Sequence, residues 1–167
     1  MKIEIHGSGR ITDHFKLSEF VHNGSEIYID DRFFVFVELL ERFRLWYNRP
    51  INITSGYRPA AYNAAVGGSS NSSHLFTGAV DFPLPAEYYG FTRARKEQFL
   101  QNVKTKWSAL CQTAGVYPQV NYYDTYLHLG ISTQRASYID KNTAVFPFQV
   151  LPFIFHLLLF ITKKARL

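Results

Sequence analysis

The sequence contains a single cysteine, Cys111, in 167 residues. One cysteine cannot form an internal disulfide, and an unpaired cysteine is most often buried as a small apolar residue. The first ten residues, MKIEIHGSGR, have no apolar stretch of the kind that a secretory leader carries. We therefore expect a protein that is made in the cytoplasm without a cleaved leader and that uses neither disulfides nor a thiol nucleophile.

The chain also lacks internal repeats and any basic helix with interleaved aromatic residues. Its formal net charge is +5, with a pI near 9.3, and the positive residues are spread along the chain apart from a terminal KKAR. This excess suits an anionic partner such as a cell-wall polymer or a membrane surface. Without a basic aromatic helix, we do not expect nucleic acid as the partner.

Two long segments have the apolar periodicity of core helices. The first starts at Asp30 or Asp31, either of which can cap free backbone N–H groups, and it ends before Pro50. The second occupies 92–114 and stops at Gly115. The apolar face of the first helix consists of Phe33, Phe36, Val37, Leu40, Phe43 and Tyr47.

Three other segments have the composition of strands. INITSGYRP predicts a short strand and a turn that leaves Arg58 on a loop, and GAVDF predicts a buried strand carrying Asp81. VNYYDTYLHLGIS alternates, which predicts one half-buried strand whose polar face carries Asp124, Tyr126 and His128. Helices and short strands in a chain of this length indicate a single domain.

His74 and Asp81 lie seven positions apart in NSSHLFTGAVDF. Neither a continuous helix nor a straight strand would let both side chains reach one ion, so a shared metal requires a turn, which Thr77 and Gly78 permit. A catalytic zinc usually has three protein ligands, and His128 is the one other histidine on the polar face of a predicted interior strand.

The same residues also have a simpler interpretation. His74 can be a surface loop residue, Asp81 a turn cap and His128 a half-buried histidine with ordinary hydrogen bonds. Spacing alone favours this interpretation over a metal site.

The C-terminal segment, 141–167, contains an apolar run at 145–161 followed by TKKARL. As a helix, the run would be about 25 Å long, slightly short of a hydrocarbon core of about 30 Å. A membrane span, an interfacial segment and a segment packed on the domain all remain open, so membrane association through 145–161 is one expectation.

Several motifs occur in an order that resembles one family: FKLSEF, ITSGYRP, an Asn followed by VGG, SSHLFTGAVD and YLHLG. Together, over residues 10–131, they resemble the D-alanyl-D-alanine metallopeptidases. These are zinc enzymes that cut peptidoglycan peptides, with a fold related to lysostaphin and the hedgehog domain. The resemblance implies an α+β domain, 1–140, in which helices flank a small, mostly antiparallel sheet. The resemblance implies zinc ligands at His74, Asp81 and His128.

The resemblance also implies roles in substrate binding and catalysis. Ser72 matches the family's substrate-side serine, and Arg58 matches an arginine that contacts substrate or the developing oxyanion, for which a guanidinium is suited. We expect Tyr126 to contact substrate as well.

The sequence departs from the family at its proton-transfer residue. Relatives carry an acidic residue or a histidine three positions before the second histidine or two after it, where this chain has Thr125 and Gly130. Asp124 is the nearest carboxylate, and it can serve as general base only if the chain turns between Tyr123 and Tyr126. The position of the family's glycine between the first two ligands falls at Thr77, and the glycine is displaced to Gly78.

The resemblance predicts a zinc-dependent hydrolase of peptidoglycan stem peptides or cross-links, either a D-Ala-D-Ala carboxypeptidase or an endopeptidase of the endolysin type. The alternatives are a zinc-containing cell-wall binding module that does not cut, and a membrane protein in which the tail is the main functional part. We expect a monomer that acts on the bacterial cell wall and is encoded by a phage.

Overall fold

The structure, a computed structural model, describes residues 2–4, 9–23 and 26–132. The described residues all belong to one unit of the chain. The predicted tail, 141–167, and the predicted domain boundary at 140 lie outside them. Among the described residues, no helix is both long and apolar enough to cross a membrane.

The described residues form the predicted α+β fold, with three α-helices and a three-stranded antiparallel sheet. The sheet has the order β3-β5-β4, and β1 and β2 form a separate antiparallel pair. In chain order the elements are β1 Lys2–Glu4, β2 Glu26–Tyr28, α1 Asp31–Tyr47, α2 Ala60–Ala65, β3 Ala79–Pro83, α3 Arg93–Thr113, β4 Tyr117–Tyr122 and β5 Tyr126–Ser132.

Helix α1 has the bounds that its capping residues predict. The Asp30 carboxylate accepts a hydrogen bond from the backbone N–H of Arg32 at 2.9 Å. The helix ends at Asn48, which is left-handed at φ 52° and donates its N–H to the Arg44 carbonyl, two residues before Pro50. Its buried face contains all six predicted residues and also Leu39: Phe33, Phe36, Val37, Leu39, Leu40, Phe43 and Tyr47.

Helix α3 packs on α1 and on the sheet through Trp107. The Trp107 ring is fully buried and meets Phe36 and Phe43 of α1 edge-on, at centroid distances of 6.0 and 5.8 Å. Its Nε1–H donates to the Gly130 carbonyl of β5 at 2.9 Å. The tryptophan therefore joins both helices to the central strand.

Strand β5 presents one face to this core and the other to the site. Leu127, Leu129 and Ile131 are buried in the core, whereas His128 lies on the opposite face and is half-buried. This alternation confirms the predicted orientation of His128. On the neighbouring strand β3, Asp81 is the register partner of His128.

The single long strand predicted from VNYYDTYLHLGIS is wrong, because the chain makes a hairpin there. Strand β4 ends at Tyr122 and β5 starts at Tyr126, and the Tyr123 N–H donates to the Tyr126 carbonyl at 2.9 Å. The turn contains Asp124 and Thr125. The alternating pattern continues across it without glycine or proline, so no turn signal interrupts the sequence.

The segment INITS is not a regular strand in this structure. It joins the edge of β3 through an isolated bridge, in which the Thr54 and Ser55 N–H groups donate to the Asp81 carbonyl at 2.8 and 3.3 Å. The Asp81 N–H returns a bond to the Ser55 carbonyl at 2.9 Å. These bonds hold the loop that carries Arg58 beside Asp81.

Candidate metal centre

A short 3-10 helix, Ser73–Phe76, holds His74 in the interior. Ser72 caps it by accepting a hydrogen bond from the His74 N–H at 3.4 Å, and the Ser73 hydroxyl donates to the Ile131 carbonyl at 2.8 Å. His74 is 1% exposed. A simple surface position for this histidine is therefore excluded.

The chain turns between His74 and Asp81, as a shared site requires. Thr77 is left-handed at φ 54°, a conformation that is uncommon for a β-branched residue, and its buried hydroxyl donates to the Tyr28 carbonyl. Gly78 has no positive φ, and a Cβ there would make ordinary contacts at 3.6 Å. The residue that replaces the family's glycine is thus the one with the glycine-like conformation.

Three ligand atoms converge on one point. His74 Nε2 lies 3.2 Å from His128 Nδ1 and 3.3 Å from Asp81 Oδ1, and His128 Nδ1 lies 2.8 Å from Asp81 Oδ1. Zinc bonds of about 2.0–2.1 Å in a tetrahedral arrangement place neighbouring ligand atoms about 3.3 Å apart. Two of the three separations match this spacing, and this group could hold a metal ion.

The hydrogen bonds of His74 determine which nitrogen faces this point. Its Nδ1 lies 2.6 Å from the Gly56 carbonyl, which can only accept, so Nδ1 carries the proton and donates. The lone pair of Nε2 is then directed at the other two ligand atoms. A carbonyl on the far side of a ligating histidine is the usual device for fixing its tautomer and orientation.

The electrostatics keep Asp81 ionised. Burial raises the pKa of this carboxyl, but the short contacts of its Oδ1 with the rings of His128 and His74, at 2.8 and 3.3 Å, lower it more, and the resulting pKa lies well below the usual range. A metal ligand must be deprotonated, so this balance suits a cation site.

Arg58 contacts the second oxygen of the same carboxylate. Its Nη2 donates to Asp81 Oδ2, and its Nε donates to the Ser55 hydroxyl at 2.9 Å. The guanidinium therefore orients a predicted metal ligand. Its predicted contact with substrate or with an oxyanion remains a prediction, because two of its donors are already used here.

A surface cleft of about 430 Å³ opens beside Asp81. Tyr126, predicted to contact substrate, lies in its wall, and desolvation raises the pKa of its phenol, which therefore stays protonated and able to donate. Ser72 is not part of the lining, so its substrate role remains a prediction. The lining consists of Thr54, Ser55, Asp81, Pro83, Tyr89, Thr125 and Tyr126.

Asp124 lies in the hairpin turn and is exposed. The chain turns here, as the predicted role of Asp124 as general base requires. The pKa of the Tyr88 phenol is raised, first by desolvation, then by the phenols of Tyr122 and Tyr89, and least by the Asp124 carboxylate. Thr125, at the family's acidic position, lines the cleft. The role of Asp124 remains a prediction.

Gly130, the other position where relatives carry an acidic residue, has little room for a side chain. A Cβ there would lie 2.7 Å from the Gln119 amide oxygen, 3.0 Å from the Ala79 Cβ and 3.3 Å from the Gly78 carbonyl. The end of the Gln119 side chain can move aside, but the Ala79 Cβ and the Gly78 carbonyl leave little space for a side chain two residues after His128.

Sequence reasoning missed the parts of the site that depend on distant backbone. Gly56 supplies the carbonyl that holds His74, and Tyr89 reaches the cleft from a separate 3-10 helix, Ala86–Gly90. The SGYR motif pointed to the contact of Gly56, since its glycine contacts His74 and its arginine contacts Asp81. No sequence signal pointed to Tyr89.

A His-Asp-His set, with Asp81 and His128 on a small antiparallel sheet and His74 on a short 3-10 helix, defines a candidate metallohydrolase site. A family model described as Peptidase M15 matches residues 14–113, which is more than half of the chain. The chain belongs to this family of zinc D-Ala-D-Ala peptidases, and the family assigns it to the metallopeptidases, a class of hydrolases. The matched range includes Arg58, His74 and Asp81, and it ends before His128.

A comparison with curated proteins found no match. Because the matched range ends before His128, the inclusion of His128 in the candidate site depends on the geometry, in which His128 faces Asp81 across two paired strands.

Proposed function

We propose that this protein is a zinc-dependent peptidase that hydrolyses peptide bonds in peptidoglycan stem peptides or cross-links, as a D-Ala-D-Ala carboxypeptidase or an endopeptidase of the endolysin type. The observation that carries the proposal is the convergence of His74 Nε2, Asp81 Oδ1 and His128 Nδ1 within 3.3 Å of one another. Membership of the Peptidase M15 family supports the same chemistry.

The donor set fits zinc. Two imidazole nitrogens and one carboxylate oxygen form a common set for catalytic zinc, and three protein ligands leave a coordination position open. When bound there, zinc supplies Lewis acidity that polarises a carbonyl oxygen and activates water.

The protein groups around the ligands would position the peptide and move protons. The Tyr126 phenol, which stays protonated, can donate a hydrogen bond to a peptide in the cleft. Arg58 keeps Asp81 oriented, and its guanidinium is the proposed partner of the developing oxyanion. Ser72 is the proposed contact for the peptide backbone, and Asp124 is the proposed proton acceptor, acting from the hairpin turn.

The test combines metal analysis with mass spectrometry of digested muropeptides. We expect one zinc per chain, soluble peptide products from the parent protein, and loss of both zinc and products in His74→Ala. His14→Ala is the matched control, because His14 is exposed and contacts Glu41 instead of the site. Unchanged cleavage by His74→Ala would end the proposal.

A second candidate is a zinc-containing module that binds cell-wall peptide without cutting it. The observation that favours it is Thr125, which lines the cleft at the family's acidic position. Binding to sacculi without release of soluble peptide would support this candidate. In that case Thr125→Glu, which places a carboxylate at the cleft, should introduce cleavage, and a matched Thr125→Gln protein should not.

The monomeric state, action at the bacterial cell wall and origin in a phage remain predictions of the sequence. Gel filtration of the purified protein and its activity on whole cells would test the first two.

A further inference from the structure

A second groove, of about 600 Å³, lies between helix α3 and strand β4 and is separate from the metal cleft. We call it the α3–β4 groove. Its lining combines two tyrosines with three basic side chains of α3 and an apolar residue: Tyr88, Arg93, Lys96, Leu100, Lys104 and Tyr122.

Of the two tyrosines that line this groove, Tyr122 is exposed and Tyr88 is partly buried against the core. Tyr122 is 62% exposed, and the neighbouring Tyr89 and Tyr123 are 51% and 49% exposed. The rings of Tyr88 and Tyr89 meet edge-on at a centroid distance of 6.0 Å. Exposed aromatic clusters of this kind mark interaction surfaces.

The aromatic surface continues into the metal cleft. Tyr88 lines the α3–β4 groove, and the adjacent residue Tyr89 lines the metal cleft with Tyr126. Tyr123, at the hairpin turn, stacks on Tyr126 at a centroid distance of 4.4 Å. Residues adjacent in the chain, Tyr88 and Tyr89, thus line the two depressions, which suits one extended ligand.

The charge of the groove is positive. Within the described part of the chain, no carboxylate lies at ion-pair distance from Lys96 or Lys104, whereas Arg93 pairs with Glu97 at 2.9 Å. Lys96 also holds its ammonium 5.2 Å from the centre of the Tyr88 ring. Two lysines without acidic partners, next to phenol rings, suit a ligand that carries both carboxylates and flat apolar faces.

We propose that the α3–β4 groove binds the carbohydrate-peptide strand that flanks the bond to be cut, with a sugar ring stacked on the exposed ring of Tyr122 and stem-peptide carboxylates held by Lys96 and Lys104. This inference rests on the proposed function, because it assigns the remote part of the same substrate. Binding of a remote part is a common means of positioning the bond that reacts.

The observations favour a glycopeptide over nucleic acid. A single-stranded nucleic acid presents a phosphate at every nucleotide and calls for a row of cations along its track. The groove offers two lysines without acidic partners, and Glu97 lies in its lining. The phenol hydroxyls can instead exchange hydrogen bonds with sugar hydroxyls.

The first experiment measures binding to metal-free protein, so that it does not depend on catalysis. The probes are a soluble disaccharide-tetrapeptide, the same tetrapeptide without sugar, and a short single-stranded oligodeoxynucleotide. We expect Tyr122→Ala to weaken binding of the disaccharide-tetrapeptide about 3- to 10-fold, the scale of a lost ring contact. Trp46→Ala, which removes an exposed ring on α1, should leave it unchanged.

The charge assignment is tested in the same way. Lys96→Glu should weaken binding of both peptide probes, whereas Arg42→Glu, an equal charge change at an exposed position of α1, should not. Equal binding of the disaccharide-tetrapeptide by all variants would overturn the proposal. Tighter binding of the oligodeoxynucleotide than of the glycopeptide would overturn it as well.

The second experiment separates this inference from the proposed function. With zinc present, Tyr122→Ala should lower kcat/KM on intact sacculi several-fold and leave cleavage of the short sugar-free peptide within about two-fold. If the parent protein cuts neither substrate, the proposed function fails, and the groove is judged by binding alone. If Tyr122→Ala impairs both substrates equally, the groove is not a remote subsite.

Discussion

Gly56 determines the orientation of the candidate metal ligand His74. A Cβ at Gly56 would lie 2.6–2.9 Å from backbone atoms of Phe20, which cannot move aside as a side chain can. This close approach allows the Gly56 carbonyl to reach His74 Nδ1, and the next residue, Tyr57, donates its N–H to the Phe20 carbonyl at 2.8 Å. The orientation of His74 thus depends on the absence of a side chain two residues before Arg58.

We predict that Gly56→Ala destabilises the protein by about 1–3 kcal/mol, because the backbone must shift to accept the methyl group. The shift displaces the carbonyl from His74, so zinc affinity should fall as well. Denaturant unfolding and competition with a chelator measure the two effects.

The matched control is Gly90→Ala. Gly90 has no atom within 4 Å of a Cβ and no positive φ, so its substitution should change neither stability nor metal affinity by much. Equal effects at Gly56 and Gly90 would contradict the role assigned to the Gly56 carbonyl.

Arg58 provides the second prediction at this scale. Because its guanidinium donates to Asp81 Oδ2, Arg58→Ala should weaken zinc binding about 10- to 100-fold, the usual effect of losing a partner of a metal ligand. Arg49→Ala is the control, since Arg49 is an equivalent cation that pairs with Glu87. If zinc affinity is unchanged while kcat falls, Arg58 acts on the substrate or oxyanion, as the sequence resemblance implied.

At the scale of elements, the packing of helix α3 on helix α1 and on the sheet involves the side chain of Trp107. Trp107 is fully buried, packs against two rings of α1 and donates to the Gly130 carbonyl of β5. Because β5 also carries His128, the position of this tryptophan bears on the site from the opposite face of the strand.

We predict that Trp107→Phe lowers the free energy of unfolding by about 2–3 kcal/mol, since it removes a buried hydrogen bond and leaves a void. Trp46→Phe, at a partly exposed position of α1, should change stability by less than about 0.5 kcal/mol. Urea unfolding followed by far-UV circular dichroism gives both values, and comparable losses in the two variants would show that the core does not depend on Trp107.

The elements that could be predicted from sequence are those with local signals. Apolar periodicity, the Asp30 cap and Gly115 located the two long helices, and alternation located β5 with His128 on its polar face. The hairpin could not be predicted, because its turn at Asp124 and Thr125 contains neither glycine nor proline and the apolar alternation continues across it.

The ligand set of the site could be proposed from motif order, but its supporting contacts could not. His74, Asp81 and His128 stood in recognisable patterns, and the structure brings them together. The contacts of Arg58 with Asp81 and of Gly56 with His74 join segments 23 and 18 residues apart, and they arise only when the chain has folded.

At the scale of the whole molecule, Cys111 reports on unfolding. It is fully buried, and burial raises the pKa of its thiol far above the usual range. A thiol reagent should therefore label the native protein only when it opens. Because the sequence contains this one cysteine, the rate of labelling reports on the exposure of a single site.

We predict that removing zinc speeds this labelling. A ligand that binds only the folded state at 100 times its Kd reduces the open population about 100-fold, so a chelator should raise the labelling rate by a similar factor. Labelling of His74→Ala should be insensitive to the chelator. A parent protein that is equally insensitive would indicate that no metal stabilises the fold.

The pairing of Asp81 with His128 across β3 and β5 has a consequence for assembly of the protein. A slip of one residue between these strands would turn one of the two side chains toward the core and separate it from its partner. Only a sheet with the correct register therefore brings both ligands together to bind a divalent cation. Zinc in a refolding buffer should therefore stabilise only the molecules in which β3 and β5 have the correct register, and it should raise the yield of these molecules.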